Sequence, residues 1–377
     1  MNTMIKLTKH AQKAVYSLVV FTVLLSGSPF AKTYGQEKLN VALAGLSHDH
    51  VNLIMNDYSK GLVHIIGIAE SNKDLVEKFR KRANLPDSIF YNTLDDLLKH
   101  KKPDAVLAFN AIEDHLSVVE TAAPYHISVM VEKPLAVSFK HAERMIQLAK
   151  KYNIHLLTNY ETTWYASNQE LYQKIKKEQS IGNIRKMIAH DGHKGPKEIG
   201  VSKEFLAWLT DPVKNGGGAV IDFGCYGANL MTWMMDGKAP LSVTAVLKQI
   251  KKDVYPKVDD DATILLEYPD ATGIIEASWN WPFNIKDFEV FGQSGYLQAV
   301  DPGNVRSREH NKDTYQTRQP AALPASASGY LGYLSAVLKG QINPANDLSS
   351  TENNLIVVKI LEAAKESAKK GQKVYLK

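Results

Sequence analysis

The sequence predicts a protein of two parts: an α/β part built on a doubly wound parallel sheet, and an α+β part with a mostly antiparallel, open-faced sheet. Between residues 38 and 158, short apolar runs alternate with segments of helical spacing. Such repeated βα units form parallel sheets, because each crossover helix covers a face of the sheet. Between residues 242 and 300, apolar strands follow one another without helices, which favours antiparallel pairing.

The first part is expected to span residues 36–158. Its apolar runs predict strands at residues 39–44, 63–69, 105–109, 127–131 and 154–158. The amphipathic segments between them predict helices at residues 50–58, 73–83, 94–100, 115–123 and 138–151. In a sheet of this kind, ligands bind outside the carboxyl ends of the strands.

The second part is expected to span residues 159–377, and its last helix can pack back on the first part. Strands are predicted at residues 184–189, 242–251, 262–267, 273–281, 288–291 and 296–300. Helices are predicted at residues 171–179, 229–235, 330–339 and 351–369. Glycine, proline and polar residues predict a loop at residues 191–200 and an irregular segment at residues 306–327.

The first 35 residues predict an export signal. They contain four lysines and no acidic residue, and residues 14–25 form an apolar run that is followed by small residues. This order is typical of a secretory signal, with cleavage expected between Ala31 and Gly35. The run is shorter than the ~20 residues that span a membrane. We therefore expect a periplasmic protein, with an uncleaved membrane anchor as the alternative.

The charge balance argues against a nucleic-acid-binding protein, and the cysteine content excludes an intrachain disulfide. Without the four lysines of residues 1–35, the chain has 41 basic and 40 acidic residues, so its net charge falls from +5 to +1. This balance lacks the basic excess of nucleic-acid-binding proteins. Cys225 is the single cysteine of the sequence, which excludes an intrachain disulfide and leaves stability to the hydrophobic core.

Lys133 is the first candidate for chemistry. It lies in the sequence Glu132-Lys133-Pro134, directly after the apolar run at residues 127–131. The proline biases the backbone of Lys133 toward extended conformations, at a strand end where ligands of α/β sheets bind. The alternative is an ordinary strand exit without a chemical role.

Gly45 begins the first turn between a strand and a helix, where a dinucleotide-binding fold carries G-x-G-x-x-G. Ser47 and His50 replace the second and third glycines, so the fingerprint is incomplete. The following helix N-terminus can still bind a phosphate, although Asp49 would cap the helix and repel one. Glu70 ends the second strand, where a dinucleotide-binding fold places an acidic residue that binds ribose hydroxyls and disfavours NADP. The alternative is a solvated glutamate at a strand end.

Asp222 and Tyr226 are the second candidates, and they follow the glycines at positions 216–218. The glycines allow the chain to approach a ligand closely. Residues four apart share a helix face, and a carboxylate beside a phenol suits proton transfer to a sugar hydroxyl. A nearby Lys133 would lower the pKa of Tyr226 by favouring the phenolate. The alternative is a helix cap at Asp222 and a core tyrosine.

No metal site is predicted. The histidines that could contribute to one lack the i, i+4 spacing of a helical zinc site: His48, His50, His115, His190 and His193. The acids at positions 259–261 are interpreted as a solvated turn before a strand, and Trp279 and Trp281 as core or interface residues.

Four segments together resemble the Gfo/Idh/MocA family of oxidoreductases. They are residues 131–136, 216–227, 258–263 and 364–374, and the resemblance runs from residue 39 to residue 377. It implies a Rossmann-type first domain that binds NAD or NADP, with NAD favoured here by Glu70. It also implies oxidation or reduction of a hydroxyl on a carbohydrate or cyclitol.

The resemblance assigns roles by position. Lys133, Asp222 and Tyr226 would be catalytic, with Tyr226 in place of the histidine of most members, as in the glucose-fructose oxidoreductase branch. The implied cofactor-binding residues are Gly45, Leu46, Ser47, His48, Glu70, Asn110, His115, Glu132 and Lys133. The implied substrate-binding residues are Tyr160, Trp164, His190, His193 and Lys194.

Three functions remain open from the sequence. The first is an exported sugar oxidoreductase that transfers a hydride to nicotinamide. The second uses the same cofactor to cleave a glycoside without net redox change. The third is a carbohydrate-binding protein without cofactor, which the altered turn at Gly45 keeps open. The resemblance also implies a homo-oligomer that buries the open face of the second sheet.

Overall fold

The structure, a computed structural model, describes residues 38–309 and 314–376. The predicted export signal lies outside these residues. Over the described parts of the chain, no helix combines the length and apolar character that crossing a membrane requires.

The first sheet has six parallel strands in the order β3-β2-β1-β4-β5-β6. The strands are β1 (Asn40–Ala44), β2 (His64–Ala69), β3 (Phe90–Tyr91), β4 (Ala105–Ala108), β5 (Ser128–Glu132) and β6 (Leu156–Asn159). The helices between them are α1 (Val51–Ser59), α2 (Lys73–Arg82), α3 (Leu94–His100), α4 (His115–Ala122) and α5 (Phe139–Tyr152). The predicted doubly wound parallel sheet is confirmed.

Both faces of this sheet are buried, as the all-apolar strands require. In β1, Val41 and Leu43 pack into one core with α1 and α2, whereas Ala42 and Ala44 pack into the other with α4 and α5. Successive side chains of a strand point to opposite faces. An apolar run without alternation is therefore what a sheet covered on both sides needs.

The second sheet has nine strands in the order β14-β13-β12-β11-β7-β10-β9-β8-β15, and β7 with β10 is its parallel pair. The strands are β7 (Ile184–Gly192), β8 (Ser242–Lys248), β9 (Asp261–Glu267), β10 (Thr272–Ser278), β11 (Ile285–Gly292), β12 (Gly295–Asp301), β13 (Asn304–Glu309), β14 (Gln316–Arg318) and β15 (Val374–Tyr375). The predicted, mostly antiparallel sheet is confirmed.

Helices cover one face of the second sheet. The helices of this part are α6 (Ala166–Tyr172), α7 (Pro196–Ile199), α8 (Lys203–Leu209), α9 (Ala219–Asp222), α10 (Gly224–Met234), α11 (Tyr330–Leu338) and α12 (Thr351–Lys370). Helix α10 packs on β7 and β10, and α12 packs on β8. The opposite face carries exposed apolar side chains, including Val246, Leu265 and Phe291.

Three predicted segments differ from the structure. Strand β7 continues to Gly192, and α7 and α8 follow it, so the predicted loop at residues 191–200 is partly regular. Helix α6 begins at Ala166 and continues as a π-helical turn, Gln173–Lys177. Strands β13 and β14 occupy part of the predicted irregular segment; their alternation was weak because an exposed sheet edge needs few apolar residues.

Helix α12 connects the two sheets. Val357, Ile360 and Leu361 pack into the core of the second sheet, whereas Val358 packs with the helices of the first. The Glu362 carboxylate accepts the backbone N–H of Phe139 at the start of α5, at 2.9 Å. Helix α11 also packs on the first sheet, through its buried apolar side chains. The boundary expected at residue 158 stays a prediction.

Candidate active site

A buried ion pair joins the two parts of the chain. Lys133 follows the last residue of β5, and Asp222 ends α9. The Lys133 Nζ lies 2.5 Å from Asp222 Oδ1 and donates a second hydrogen bond to the Asp222 carbonyl at 2.8 Å. The indole of Trp279 donates to the other carboxylate oxygen at 3.0 Å. Both charges are therefore satisfied by hydrogen bonds, as buried ions require.

The pair remains charged because each partner stabilises the other. Burial opposes ionisation of Asp222, but the Lys133 ammonium outweighs it and lowers the pKa of the carboxyl. Burial likewise opposes the charge on Lys133, but Asp222 raises the pKa of the ammonium overall. An opposite charge at hydrogen-bond distance favours both charged forms.

A second carboxylate holds the glycine run that precedes Asp222. Asp259 accepts the backbone N–H groups of Gly218 and Val220, at 2.8 and 2.7 Å. A Cβ atom at Gly218 would lie 1.7 Å from the Asp259 carbonyl oxygen, so this close approach requires glycine. Asp260 is buried and accepts two further backbone N–H groups. The interpretation of these acids as a solvated turn was therefore wrong.

Tyr226 lies beside this pair with its ring buried. The Lys133 Nζ is 5.1 Å from its ring centroid, whereas the Lys286 Nζ is 4.4 Å from the centroid and 3.5 Å from Oη. Burial, followed by the nearby Glu161 carboxylate, raises the pKa of Tyr226 well above its ordinary value. The expectation that Lys133 lowers this pKa was wrong, because Lys133 donates its hydrogen bonds to Asp222.

Lys133, Asp222 and Tyr226 line one cavity of about 640 Å³. Its wall also includes His193, whose Nδ1 accepts the Gly195 N–H at 2.9 Å and whose ring meets Phe223 edge-on. The further polar and charged lining residues are His48, Asp49, His50, Glu161, Tyr165, Asn284, Lys286 and Asp301. The apolar part of the wall includes Pro196, Ile199, Val201, Phe205, Leu209 and Phe283.

Four of the five expected substrate residues do not line this cavity. Tyr160 is fully buried behind Tyr226, with the two rings perpendicular. The Trp164 indole donates to Asn159 and packs against Tyr333. His190 is paired with an aspartate on the open sheet face, and Lys194 is exposed.

Sequence reasoning missed Glu161, Tyr165 and Lys286, because nothing in their local pattern distinguishes them from surface residues. Trp279 was interpreted as a core or interface residue, and the structure confirms that it is buried. Its hydrogen bond to Asp222 could not be foreseen, because the two residues are 57 positions apart.

A second cavity of about 810 Å³ lies at the carboxyl ends of β1, β2 and β4. Gly45, Ser47, Glu70 and Asn110 line it. Gly45 has a φ of +81°, and a Cβ there would approach the Asn110 Cβ to 2.7 Å. The tight turn of a dinucleotide-binding site therefore still exists, and only glycine fits it. The Asn110 side-chain oxygen is buried without a protein partner.

Glu70 points its carboxylate along this groove. It accepts the backbone N–H of Leu46 at 2.9 Å and that of Asn72 at 2.8 Å. Each carboxylate oxygen can accept a further hydrogen bond, as the ribose hydroxyls of a dinucleotide would donate. The volume, the turn and this acid fit an NAD molecule.

Ser47 and His50 stand where the second and third glycines would be, and His48 lies between them. His48 Nδ1 accepts the N–H of His50 at 3.1 Å, so this N–H is not available to a phosphate. His50 pairs with the buried Glu132 at 2.8 Å, and Asn159 donates to the other oxygen of Glu132. Burial, followed by the His50 charge, lowers the pKa of His48 well below its ordinary value. Asp49 accepts the Ser202 N–H instead of capping α1.

Leu46 and His115 do not line the groove. Leu46 is buried in the core between β1 and its helices. His115 is fully buried, and its Nδ1 lies 3.1 Å from the Leu135 carbonyl oxygen. Burial lowers the pKa of His115 to about 4. A neutral His115 therefore supports the loop that carries Lys133, and its Nε2 is buried without a protein partner.

Two groups among the described residues bring three possible metal ligands within 4.8 Å of one another: His48, His50 and Glu132, and His190, Asp287 and Glu289. In both groups the side chains already form hydrogen bonds with protein partners. Neither arrangement needs an ion to satisfy its polar atoms.

Comparison with known proteins agrees with this geometry. Residues 39–160 match the model of an oxidoreductase family with an NAD-binding Rossmann fold, and residues 170–298 match the GFO/IDH/MocA C-terminal domain. The chain is 25% identical to trans-1,2-dihydrobenzene-1,2-diol dehydrogenase of Xenopus tropicalis over 207 residues, which span 54% of this chain and 57% of that enzyme. The match thus covers little more than half of that relative.

Two further proteins are similar. The rhizopine catabolism protein MocA of Rhizobium meliloti is 26% identical over 251 residues, 63% of this chain and 74% of MocA. The crystal structure of aldose-aldose oxidoreductase from Caulobacter crescentus, complexed with glycerol, superimposes with a TM-score of 0.75. It is 23% identical and covers 90% of this chain and 100% of that one.

Replacing Lys133 by methionine should lower the free energy of unfolding by roughly 3 kcal/mol, because it leaves the Asp222 carboxylate buried and unpaired. The double variant K133M/D222L should lose less than the sum of the two single variants. Urea denaturation of all four proteins measures this coupling. Lys102→Met, at an exposed lysine between α3 and β4, is the matched control and should leave the midpoint unchanged.

The same coupling should depend on pH with a defined sign. The pKa of Asp222 is lowered on folding, so its contribution is present above the ordinary value of 3.8 and is lost as the pH falls further. The pKa of Lys133 is raised, so its contribution is present below 10.5 and is lost above it. Additivity of the two substitutions at neutral pH would contradict this assignment.

Proposed function

This chain belongs to the Gfo/Idh/MocA family of oxidoreductases, and we propose that it oxidises or reduces a hydroxyl of an uncharged carbohydrate or cyclitol with NAD. The observation that carries the proposal is the convergence of Lys133, Asp222 and Tyr226 on one cavity. Ser47 lines the groove that fits a dinucleotide and its neighbour His48 lines this cavity, so the two sites adjoin. A relative similar in sequence is named as a dehydrogenase of a dihydrobenzene diol, and a protein of similar fold is named as an aldose-aldose oxidoreductase.

The side chains divide the proton chemistry among them. When bound, the nicotinamide supplies the acceptor or donor of a hydride. Tyr226 Oη exchanges the proton of the substrate hydroxyl. The Lys133 ammonium stabilises the negative charge that develops on the substrate oxygen. Asp222 keeps that ammonium charged and oriented through the 2.5 Å contact.

The charges of the cavity favour an uncharged substrate. Its lining contains two lysines, and each is paired with a carboxylate, Lys133 with Asp222 and Lys286 with Glu161. Asp49 and Asp301 also line the cavity, so its carboxylates outnumber its lysines. A sugar phosphate or a sugar acid would therefore meet net repulsion.

The apolar side of the cavity favours a substrate with an apolar face or substituent. Ile199 is 45% exposed and Phe283 is 64% exposed, and both lie on the cavity wall. Aromatic and aliphatic side chains exposed together at a cavity mark a binding surface. A glycoside with an apolar aglycone fits this wall better than a free hexose does, which also keeps glycoside cleavage as the second candidate function.

We also propose that the protein acts after export, as residues 1–35 suggest. Free nicotinamide cofactor is scarce outside the cytoplasm. The enzyme would therefore retain its cofactor and restore it on a second substrate, or complete a cycle without net redox change.

Turnover tests the proposal directly. The protein with NAD should produce NADH absorbance on at least one member of a panel of uncharged aldoses, inositols and aryl glycosides. Tyr226→Phe should lower kcat by about 100-fold or more, because the proton-exchanging oxygen is lost. Tyr375→Phe, at an exposed tyrosine, is the control and should keep full activity. Release of an aglycone without net NADH would replace this proposal by glycoside cleavage.

Glu70 should make the protein prefer NAD to NADP. Carboxylates outnumber lysines in the groove, and Glu70 would repel a phosphate on the ribose. We expect NAD to raise the melting temperature more than NADP does, and Glu70→Gln should raise the affinity ratio for NADP by about tenfold. Glu178→Gln, far from the groove, is the control. No stabilisation by either nucleotide would favour a cofactor-free carbohydrate-binding protein.

We propose that the open face of the second sheet forms a homo-oligomer interface. Val246, Leu265 and Phe291 expose 54%, 42% and 37% of their surface on this face, and such patches mark interaction sites. Light scattering should give a multiple of the chain mass, and Leu265→Asp should lower it. Leu62→Asp, at a more exposed leucine of the first part, should not change it. A wild-type monomer at micromolar concentration would contradict the proposal.

A further inference from the structure

Lys286 is the described cation that approaches the hydroxyl of Tyr226. Its Nζ lies 3.5 Å from Tyr226 Oη and 4.4 Å from the ring centroid. The Lys133 Nζ lies over the ring of Tyr226, 5.1 Å from its centroid, and donates its hydrogen bonds to the carboxylate and the carbonyl of Asp222. The two lysines therefore face different parts of the phenol.

Glu161 holds Lys286 in this place. Its Oε2 forms a short hydrogen-bonded ion pair with Lys286 Nζ, and its Oε1 accepts the Tyr165 hydroxyl at 2.7 Å. Lys286 comes from β11 and Glu161 follows β6, so the pair joins two segments of the cavity wall that are 125 positions apart in the sequence. Burial opposes the charge on Glu161, but Lys286 outweighs it and lowers the pKa of the carboxyl.

We propose that Lys286, held by Glu161, is the positioning residue that stabilises the phenolate of Tyr226 and so makes it a base. This inference uses the proposed function only for the identity of the proton-exchanging oxygen. From the sequence alone, this role was expected of Lys133. In this arrangement Lys133 stabilises the substrate oxygen, and Lys286 stabilises the phenolate of Tyr226.

The proton balance is simple. In the oxidation direction the Tyr226 phenolate takes the proton of the substrate hydroxyl and becomes a phenol, while the hydride leaves the substrate carbon for the nicotinamide. In the reduction direction the phenol returns the proton. Lys286 remains an ammonium throughout, so it acts by its charge and position and does not carry the proton.

Other charged and titratable groups also face this cluster, and the test must separate their effects. They come from the turn after β1, from β5 and β7 with the residues that follow them, from the segment after β6 and from the helices α9 and α10: His50, Glu132, Lys133, Tyr160, Tyr165, Asp191, His193, Asp222 and Cys225. Of these, Cys225, Asp222 and Glu132 raise the pKa of Tyr226, as Glu161 does, and so oppose a phenolate. A cation directly at the oxygen is therefore needed, and Lys286 occupies that position.

The test measures the ionisation of Tyr226 in the free protein. Difluorotyrosine is placed at position 226, because ring fluorination brings phenol ionisation into an accessible pH range. The ¹⁹F NMR signal is then followed with pH, without cofactor or substrate. Lys286→Met should raise the midpoint by about one to three units, since it removes an opposite charge. Glu161→Gln should lower it, because it removes a negative charge and leaves Lys286 in place.

Two controls complete the experiment. Lys286→Arg keeps the charge and should stay near the wild-type midpoint, whereas Lys186→Met, exposed on β7, should not move it. An unchanged midpoint in Lys286→Met, or equal signs for Lys286→Met and Glu161→Gln, would overturn the proposal. If Lys286→Met fails to fold, Lys286→Gln removes the same charge and keeps a polar side chain, and an unchanged midpoint in that variant would equally overturn the proposal.

The outcome is separate from that of the turnover test. Unchanged midpoints with a loss of turnover in Tyr226→Phe would remove the role of Lys286 and keep the proposed function. Shifted midpoints in a protein that turns over no sugar would keep the role of Lys286 and remove the proposed function.

Discussion

The buried contact between Lys133 and Asp222 is the interaction on which the arrangement of the site depends. It joins the end of a strand in the first sheet to the end of a helix on the second. Removing two charges from water costs several kcal/mol each, so such a pair persists only when its remaining hydrogen bonds are made. Trp279 and the Asp222 carbonyl supply two of these bonds. Strand β5 and helix α9, which carry the pair, are therefore held in fixed positions relative to each other.

That requirement explains why the glycine run is built as it is. Asp259 binds the backbone of Gly218 and Val220 from the side, and the missing Cβ at Gly218 lets the two chains approach. Asp222 reaches Lys133 only because this turn is fixed. Helix α12 then ties the same region to α5 of the first part. The ion pair is thus supported by contacts that lie far from it in sequence.

This pattern also explains what the sequence could predict. The strands of the first sheet followed from apolar runs, because a sheet buried on both faces leaves a strong local signal. Lys133, Asp222 and Tyr226 were found because they occupy strand and helix ends with glycine and proline beside them. Glu161 and Lys286 were not found, because a surface-type charge gains its role only when β6 and β11 bring it to the cavity. Long-range pairing of polar residues leaves no periodicity to read.

The altered glycine turn illustrates how such substitutions are accommodated. His48 accepts the N–H that a phosphate would use, and His50 turns its ring to the buried Glu132, one residue before Lys133. His48 and His50 therefore line the same cavity as Lys133. Glu132 gains its buried charge from this contact, and Asn159 at the end of β6 completes it. A cofactor phosphate in this groove would depend on other N–H groups of the turn, while Gly45 and Glu70 keep the shape that the ribose end requires.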